Sequence, residues 1–198
     1  MQVFSMIKVA PEEVFYRFPT IEVNNDYILR QMTYDDAPDY LEYMSHDEVN
    51  KYVPEECLPR DLDQARNEIK YNLDLFEYRR SLFWALAEKS TNKLVGSCGF
   101  NYWNRDHART EISYDLARDL WGKGVMTQVV HKIVTFGFTH MQLHRVEATA
   151  TPTNAGSLKV LRKVGFKKEG LLREQKLLHG KFHDAVILSL LKQDYLKF

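Results

Sequence analysis

The chain has 198 residues, 44% of them hydrophobic, 27% charged and 13% aromatic. That is enough apolar material for one complete core, and it excludes a chain that is disordered in the main. Lys plus Arg and Asp plus Glu number 27 each, so the net charge is zero and the dominant basic footprint of a duplex nucleic-acid binder is missing. No apolar run approaches the roughly 18 residues of a membrane span, and residues 1–15 lack a signal-peptide pattern. Two cysteines, Cys57 and Cys98, cannot make a disulfide framework, and with scattered histidines they make no structural zinc site. A cytoplasmic protein with no metal and no membrane partner is expected.

Residues 1–20 read as an N-terminal extension in which Pro11 and Pro19 bracket a segment able to form a short helix, followed by a single domain over 21–198. Ile21, Val23, Tyr27 and Leu29 mark a strand over 21–31. Thr33 caps a helix over 34–44, with Asp36 as the acid at its third position. Asp61 caps a second helix running to about Tyr78, where Ala65, Ile69, Leu73 and Phe76 recur at helical spacing. Strands over 81–88, 94–102 and 108–116, separated by turns at 91–93 and 104–107, form an antiparallel meander packed by Trp84, Phe100 and Trp103. A long helix occupies 124–140, with Met126, Val129, Val130, Ile133 and Phe136 as its apolar stripe. A strand over 144–150, a helix over 155–164 and closing strands over 166–178 and 183–191 complete a mixed α/β order with a βαβ-type crossover.

Charge is uneven along this order. Between Glu22 and Glu77 there are 15 acidic and 5 basic residues; between Lys159 and Lys181 there are 8 basic and 2 acidic. One surface suits a cation and the other an anion.

The most informative segment is Asp119-Leu120-Trp121-Gly122-Lys123-Gly124, directly before the long helix. Glycines one residue apart allow a tight turn and close backbone approach, and a helix start offers unpaired N–H groups at the positive end of the dipole. Together they can cradle a pyrophosphate, with Val125, Met126 and Thr127 continuing the N–H array. A dinucleotide fingerprint is excluded, because Thr127 stands where its third glycine belongs, and no P-loop is present. Thirty residues on, Asn154 opens a helix with Ser157 one turn in, and Gly165 ends it.

The loop "WGKG" before a long helix, followed by "EATATPTNAGSLKVLRKVGFKKEG", resembles the GCN5-related N-acetyltransferase family, and within it the branch that acetylates ribosomal-protein N-termini. The resemblance covers about residues 21–191. It implies an α/β domain with a mixed central sheet and a splayed parallel strand pair, here 108–116 and 144–150, and acetyl-CoA as co-substrate. It also implies a bulge around Tyr114, Asp115 and Leu116 that turns N–H groups toward the thioester carbonyl. The loop with Trp121 would hold the pyrophosphate, Asn154 the pantetheine or pyrophosphate arm, and Lys159, Arg162 and Lys163 the nucleotide phosphates. Two positions depart from the family: Asp119 replaces the loop's leading Arg or Gln, and Leu161 replaces the usual tyrosine acid.

Acetyl transfer requires a neutral amine. An α-amine, with pKa about 7.7–8.0, reaches that state far more easily than a lysine at about 10.4. Glu111, a charged residue in a strand pattern beside the expected thioester, is the candidate base, acting through water. It shares a face with Ser113 and Asp115. Ser157 matches the serine that the ribosomal-protein branch places near the coenzyme A sulfur, with Tyr114 as the lesser alternative. Expected partners are a protein N-terminus or a small cationic amine such as a polyamine or aminoglycoside, with the chain as a monomer or homodimer. A non-catalytic acyl-CoA sensor is the competing class.

Overall fold

Eight strands form one sheet in the order β1-β2-β3-β4-β5-β6-β8-β7 in the computed structural model, which describes residues 11–195. The strands are β1 (Ile21–Glu22), β2 (Tyr27–Gln31), β3 (Phe83–Glu88), β4 (Leu94–Asn104), β5 (Arg109–Leu116), β6 (Arg145–Ala150), β7 (Lys167–Leu178) and β8 (Lys181–Leu191). Every neighbouring pair is antiparallel except β5–β6, which is parallel. The helices are α1 (Ala37–Met44), α2 (Asp47–Asn50), α3 (Leu62–Glu77), α4 (Val125–Thr139), α5 (Ala155–Val164) and α6 (Lys192–Tyr195). This is the expected α/β fold, a mixed sheet flanked by helices.

Alternation along β3 shows how the sheet divides the core. Trp84 and Leu86 pack with α4 and α5, while Ala85 packs with α1 and α3 on the opposite face. Val129, Val130, Ile133 and Val134 of α4 are fully buried, so the apolar stripe read from the sequence is the helix's contact with the sheet. Asp61 caps α3, its carboxylate accepting from the Gln64 N–H at 2.8 Å.

The expected single strand over 21–31 is instead two strands. Asn24 Oδ1 accepts from the N–H groups of Asp26 and Tyr27 at 2.9 and 3.0 Å, and this local turn breaks the ladder. The helix expected from 34 begins as a 3-10 turn over Tyr34–Asp36 and becomes α1 at Ala37. There Asp36 does more than cap: it accepts from the Thr33 N–H at 2.7 Å and grips the Arg30 guanidinium with both oxygens, at 2.6 and 2.8 Å. The bulge expected around Tyr114–Leu116 is absent. The β4–β5 register runs unbroken from Asn101↔Glu111 to Gly96↔Leu116, and the irregularity lies between Asn101 and Asn104. Tyr102 and Ala108 there take φ of 52° and 46°, so the extra residue is absorbed at the hairpin end.

Residues 1–10 of the expected extension lie outside the described residues. Pro11–Phe15 form a 3-10 helix. Val14 and Phe15 are buried, Phe18 packs edge-on against Phe76 and Trp84, and the Trp84 indole donates to the Pro19 carbonyl at 2.7 Å.

Ile133→Ala removes a fully buried side chain at the centre of the α4 contact. It should lower stability by about 2–5 kcal/mol, read as a fall in the urea midpoint with an unchanged m-value.

Candidate active site

The site begins where pairing stops. β5 and β6 are joined only through Arg109↔Arg145, Thr110↔Val146 and Glu111↔Glu147. Beyond that, β5 stays on β4 to Leu116 and β6 stays on β8 to Ala150, so the two strands diverge and leave a slot. The Ala117 N–H donates to the Val95 carbonyl at 2.8 Å. Alternation therefore turns the N–H groups of Tyr114 and Leu116 away from β4 and into the slot. The donors expected from a bulge are supplied instead by the splay. Ile112, Leu116, Val146, Ala148 and Ala150 belong to the core on the α4–α5 face. Glu111, Ser113, Asp115 and Thr149 alternate with them and occupy the α1–α3 face.

At the end of β5 the chain makes a 3-10 turn, Arg118–Leu120, that carries Asp119 exposed at the surface. Gly122 and Gly124 follow, with φ of 77° and 81°, and α4 starts at Val125. The first helical bond is from the Gln128 N–H to the Gly124 carbonyl, at 3.3 Å. Among the described residues, none of the six consecutive N–H groups of residues 122–127 has a protein acceptor. The side chains of Val125 and Met126 are buried, Thr127 is half-buried, Lys123 is exposed, and the first turn of α4 carries no acid. Trp121 braces this loop: its indole N–H donates to the Leu116 carbonyl at 2.9 Å, and the Arg118 guanidinium lies 5.1 Å from its ring while pairing with Glu48. An array of free amides at a helix start, with no carboxylate in its first turn, fits the pyrophosphate of coenzyme A.

Beside the slot, Asn154 caps α5, its Oδ1 accepting from the Ser157 N–H at 3.0 Å. Ser157 Oγ lies 2.9 Å from the Tyr114 hydroxyl, where either can donate, and that hydroxyl also reaches the Ser157 carbonyl at 3.3 Å. Burial pushes the Tyr114 phenol up to about 12 against the opposing pull of the Ser157 hydrogen bond, so it stays protonated. A protonated phenol donating to Oγ leaves the serine proton free to point elsewhere. Lys159, Arg162 and Lys163 are exposed on α5, and Leu161 is core.

On the other face Glu111 Oε1 accepts from Thr149 Oγ1 at 2.7 Å. Lys176, reaching from β7, places Nζ 3.3 Å from the Thr149 carbonyl; burial lowers its pKa, with Glu111 nearby opposing the shift. Asp115 is committed elsewhere: it accepts from the Tyr43 hydroxyl at 2.7 Å, the Ser97 N–H at 2.8 Å and the Ser97 hydroxyl at 2.7 Å. Burial pushes its carboxyl up despite those bonds. This face is bordered by two loop contacts, Tyr52 Oη to the Thr153 carbonyl and His179 Nε2 to the Asn50 carbonyl, both 3.2 Å.

The structure thus gathers Tyr114 with Ser157 and Asn154 on one side of the slot, and Glu111 on the other. Sequence reasoning missed Thr149, although the polar series Arg145, Glu147, Thr149 on β6 is a signal for it. It also missed Lys176, which nothing local separates from its basic neighbours. Among the described residues no three His, Cys, Asp or Glu side chains gather as metal ligands, and no helix is long and apolar enough to cross a membrane.

A Cβ at Gly124 meets nothing within 4 Å, so substitution there costs backbone strain without a clash. Gly124→Val should leave the protein folded, with a penalty of about 1–2 kcal/mol. It should weaken acetyl-CoA binding at least tenfold in a calorimetric titration, because the φ of 81° that aims the amides is lost. Unchanged affinity would remove the cradle.

A family model described as an acetyltransferase (GNAT) domain matches residues 26–167. An uncharacterized N-acetyltransferase, p20, of Bacillus licheniformis is 39% identical over 84% of this chain and 93% of its own. A solved structure of a probable acetyltransferase superposes with a TM-score of 0.80 at 26% identity, over 89% of this chain and 99% of that one. A ribosomal L7/L12 α-N-protein acetyltransferase in complex with coenzyme A shares the fold, with a TM-score of 0.80 at 18% identity over 87% of this chain and 98% of that one. The splayed strands, the amide cradle and the family match lead to one conclusion: the chain belongs to the GNAT acetyltransferases and is an acetyl-CoA-dependent N-acetyltransferase.

Proposed function

We propose that the acceptor is the α-amine at the N-terminus of a protein, with a basic ribosomal protein as the first candidate and the cytoplasm as the setting. The observation that carries this reading is the slot itself, open to amide donors on one face and to Glu111 on the other. The ribosomal acceptor named for the structurally similar L7/L12 enzyme points the same way, as does the acidic 22–77 segment. That segment supplies α1 to α3 beside the slot and attracts a cationic chain.

Bound acetyl-CoA supplies a thioester whose carbonyl carbon takes the amine's lone pair and whose sulfur departs as a thiolate. The cradle amides of residues 122–127 hold the pyrophosphate, and Asn154 Nδ2, which the cap leaves unused, meets the pantetheine arm. The N–H groups of Tyr114 and Leu116 donate where negative charge develops on the acetyl oxygen. Glu111 takes the amine proton through water, held in orientation by Thr149. Ser157 donates toward the sulfur, with the Tyr114 phenol behind it. An α-amine suits this arrangement because one carboxylate acting through water suffices for a group with pKa near 8.

Glu111→Gln keeps the shape and removes the base. Its turnover should fall most at low pH and approach wild type as the pH nears the amine's own pKa. Ser157→Ala should instead lower turnover at all pH values by about five- to a hundredfold, the worth of a hydrogen bond of about 1–3 kcal/mol. Acetyl-CoA affinity is measured alongside. Superimposable pH–rate profiles for wild type and Glu111→Gln would end the base assignment. Binding of acetyl-CoA without coenzyme A release for any amine would instead favour the sensor reading, which the Leu161 and Asp119 departures motivate.

A further inference from the structure

Lys176 is used neither by the cradle nor by the proton path, yet it stands in the slot. It lies on β7, and β8 separates that strand from β6, so its side chain crosses β8 to reach Thr149. The Lys192 N–H bonds the His144 carbonyl at 3.0 Å, which fixes the alternation of β6: carbonyls 144, 146 and 148 face β8, and that of Thr149 faces the splay. The ammonium on this carbonyl therefore lies at the gap, close enough to Glu111 to interact with its charge. It has three N–H donors, one is matched, and no carboxylate comes within ion-pair distance of it among the described residues.

Thr149 makes a couple of Lys176 and Glu111. Its hydroxyl holds the carboxylate and its carbonyl holds the ammonium, so a hydrogen-bond acceptor and a free donor face the same space from one residue. The complement of such a couple is a ligand with a donor amine and an oxygen acceptor three bonds away, which is the N–Cα–C=O unit of a peptide N-terminus. A polyamine offers donors only, and each of its ammonium groups meets a like charge at Lys176.

We infer that Lys176 is a specificity-determining residue whose ammonium receives the first carbonyl of an acceptor while its α-amine faces Glu111, selecting amines flanked by an acyl oxygen over polyamines. The inference rests on the proposed acetylation in this slot and goes further by naming the group that tells acceptors apart. A half-buried cation with no carboxylate within ion-pair distance among the described residues is costly to keep for packing alone, and methylene stems of similar length serve that purpose without the charge.

The test compares wild type with Lys176→Met, using an alanine-initiated tetrapeptide amide and spermidine as acceptors. In wild type the peptide should have the higher kcat/KM. The substitution should lower the peptide value at least tenfold, mainly through KM, and leave the spermidine value unchanged or raised. In the effect of the substitution the differing amine pKa values cancel, because each acceptor is there compared with itself, and the wild-type comparison is made on the kcat/KM of the neutral amine. A second reading needs no turnover: titration of the peptide into the coenzyme A complex should show at least tenfold weaker binding in Lys176→Met. Thermal melting and acetyl-CoA affinity should match wild type. Equal losses for both acceptors, unchanged peptide binding, or a wild type that prefers spermidine would each overturn the inference while leaving acetyl transfer in place. A wild type that binds no acetyl-CoA would instead overturn the functional reading beneath it.

Discussion

Everything at the site follows from one interrupted ladder. β5 and β6 cannot both remain paired with each other and follow their outer partners β4 and β8, and after Glu111↔Glu147 the outer partners win. Antiparallel pairing is somewhat more stable per residue than parallel pairing, and sheet twist accumulates across the strands, so the weak joint opens at the only parallel pair in the sheet. The opening leaves main-chain donors and acceptors without sheet partners, groups that a protein interior normally pairs. On the β6 edge one of these groups, the Thr149 carbonyl, accepts from Lys176.

The candidate residues around the same interruption are divided between the two faces of the sheet. Ser157 and Tyr114 stand on the face packed by α4 and α5, toward the start of α4 with its unpaired amides. Glu111 stands on the face of α1 and α3, beneath the acidic part of the chain. Strand alternation alone keeps Glu111 off the face that carries the start of α4.

Most of the architecture was legible in the sequence because it is local. The α4 stripe, the Asn154 and Asp61 caps, the Gly122–Gly124 turn and the β3–β4–β5 meander each depend on residues a few positions apart. What was not legible depends on pairs distant in the chain or on one side-chain bond. Asn24 turning back on its own backbone splits an otherwise good strand pattern. The bulge around Tyr114 is implied by the family resemblance, but register is set by the partner strand, and β4 accommodates its extra residue at the other end. Asp115 reads as a wet-face acid until Tyr43, 72 residues earlier, is seen to bond it. Lys176 gives no local sign of reaching Thr149, 27 residues before it.

The two contacts bordering the Glu111 face, Tyr52 to Thr153 and His179 to Asn50, join the end of α2 and the loop after it, the loop after β6 and the β7–β8 turn into a ring around that side of the slot. Each is a single hydrogen bond between groups at the surface, worth about 0.5–1.5 kcal/mol net. Two such bonds together contribute about 1–3 kcal/mol, little beside the continuous ladders of the sheet. Widening that side of the slot therefore asks only that these loops part, while the sheet, with its buried strands and continuous outer ladders, does not have to move.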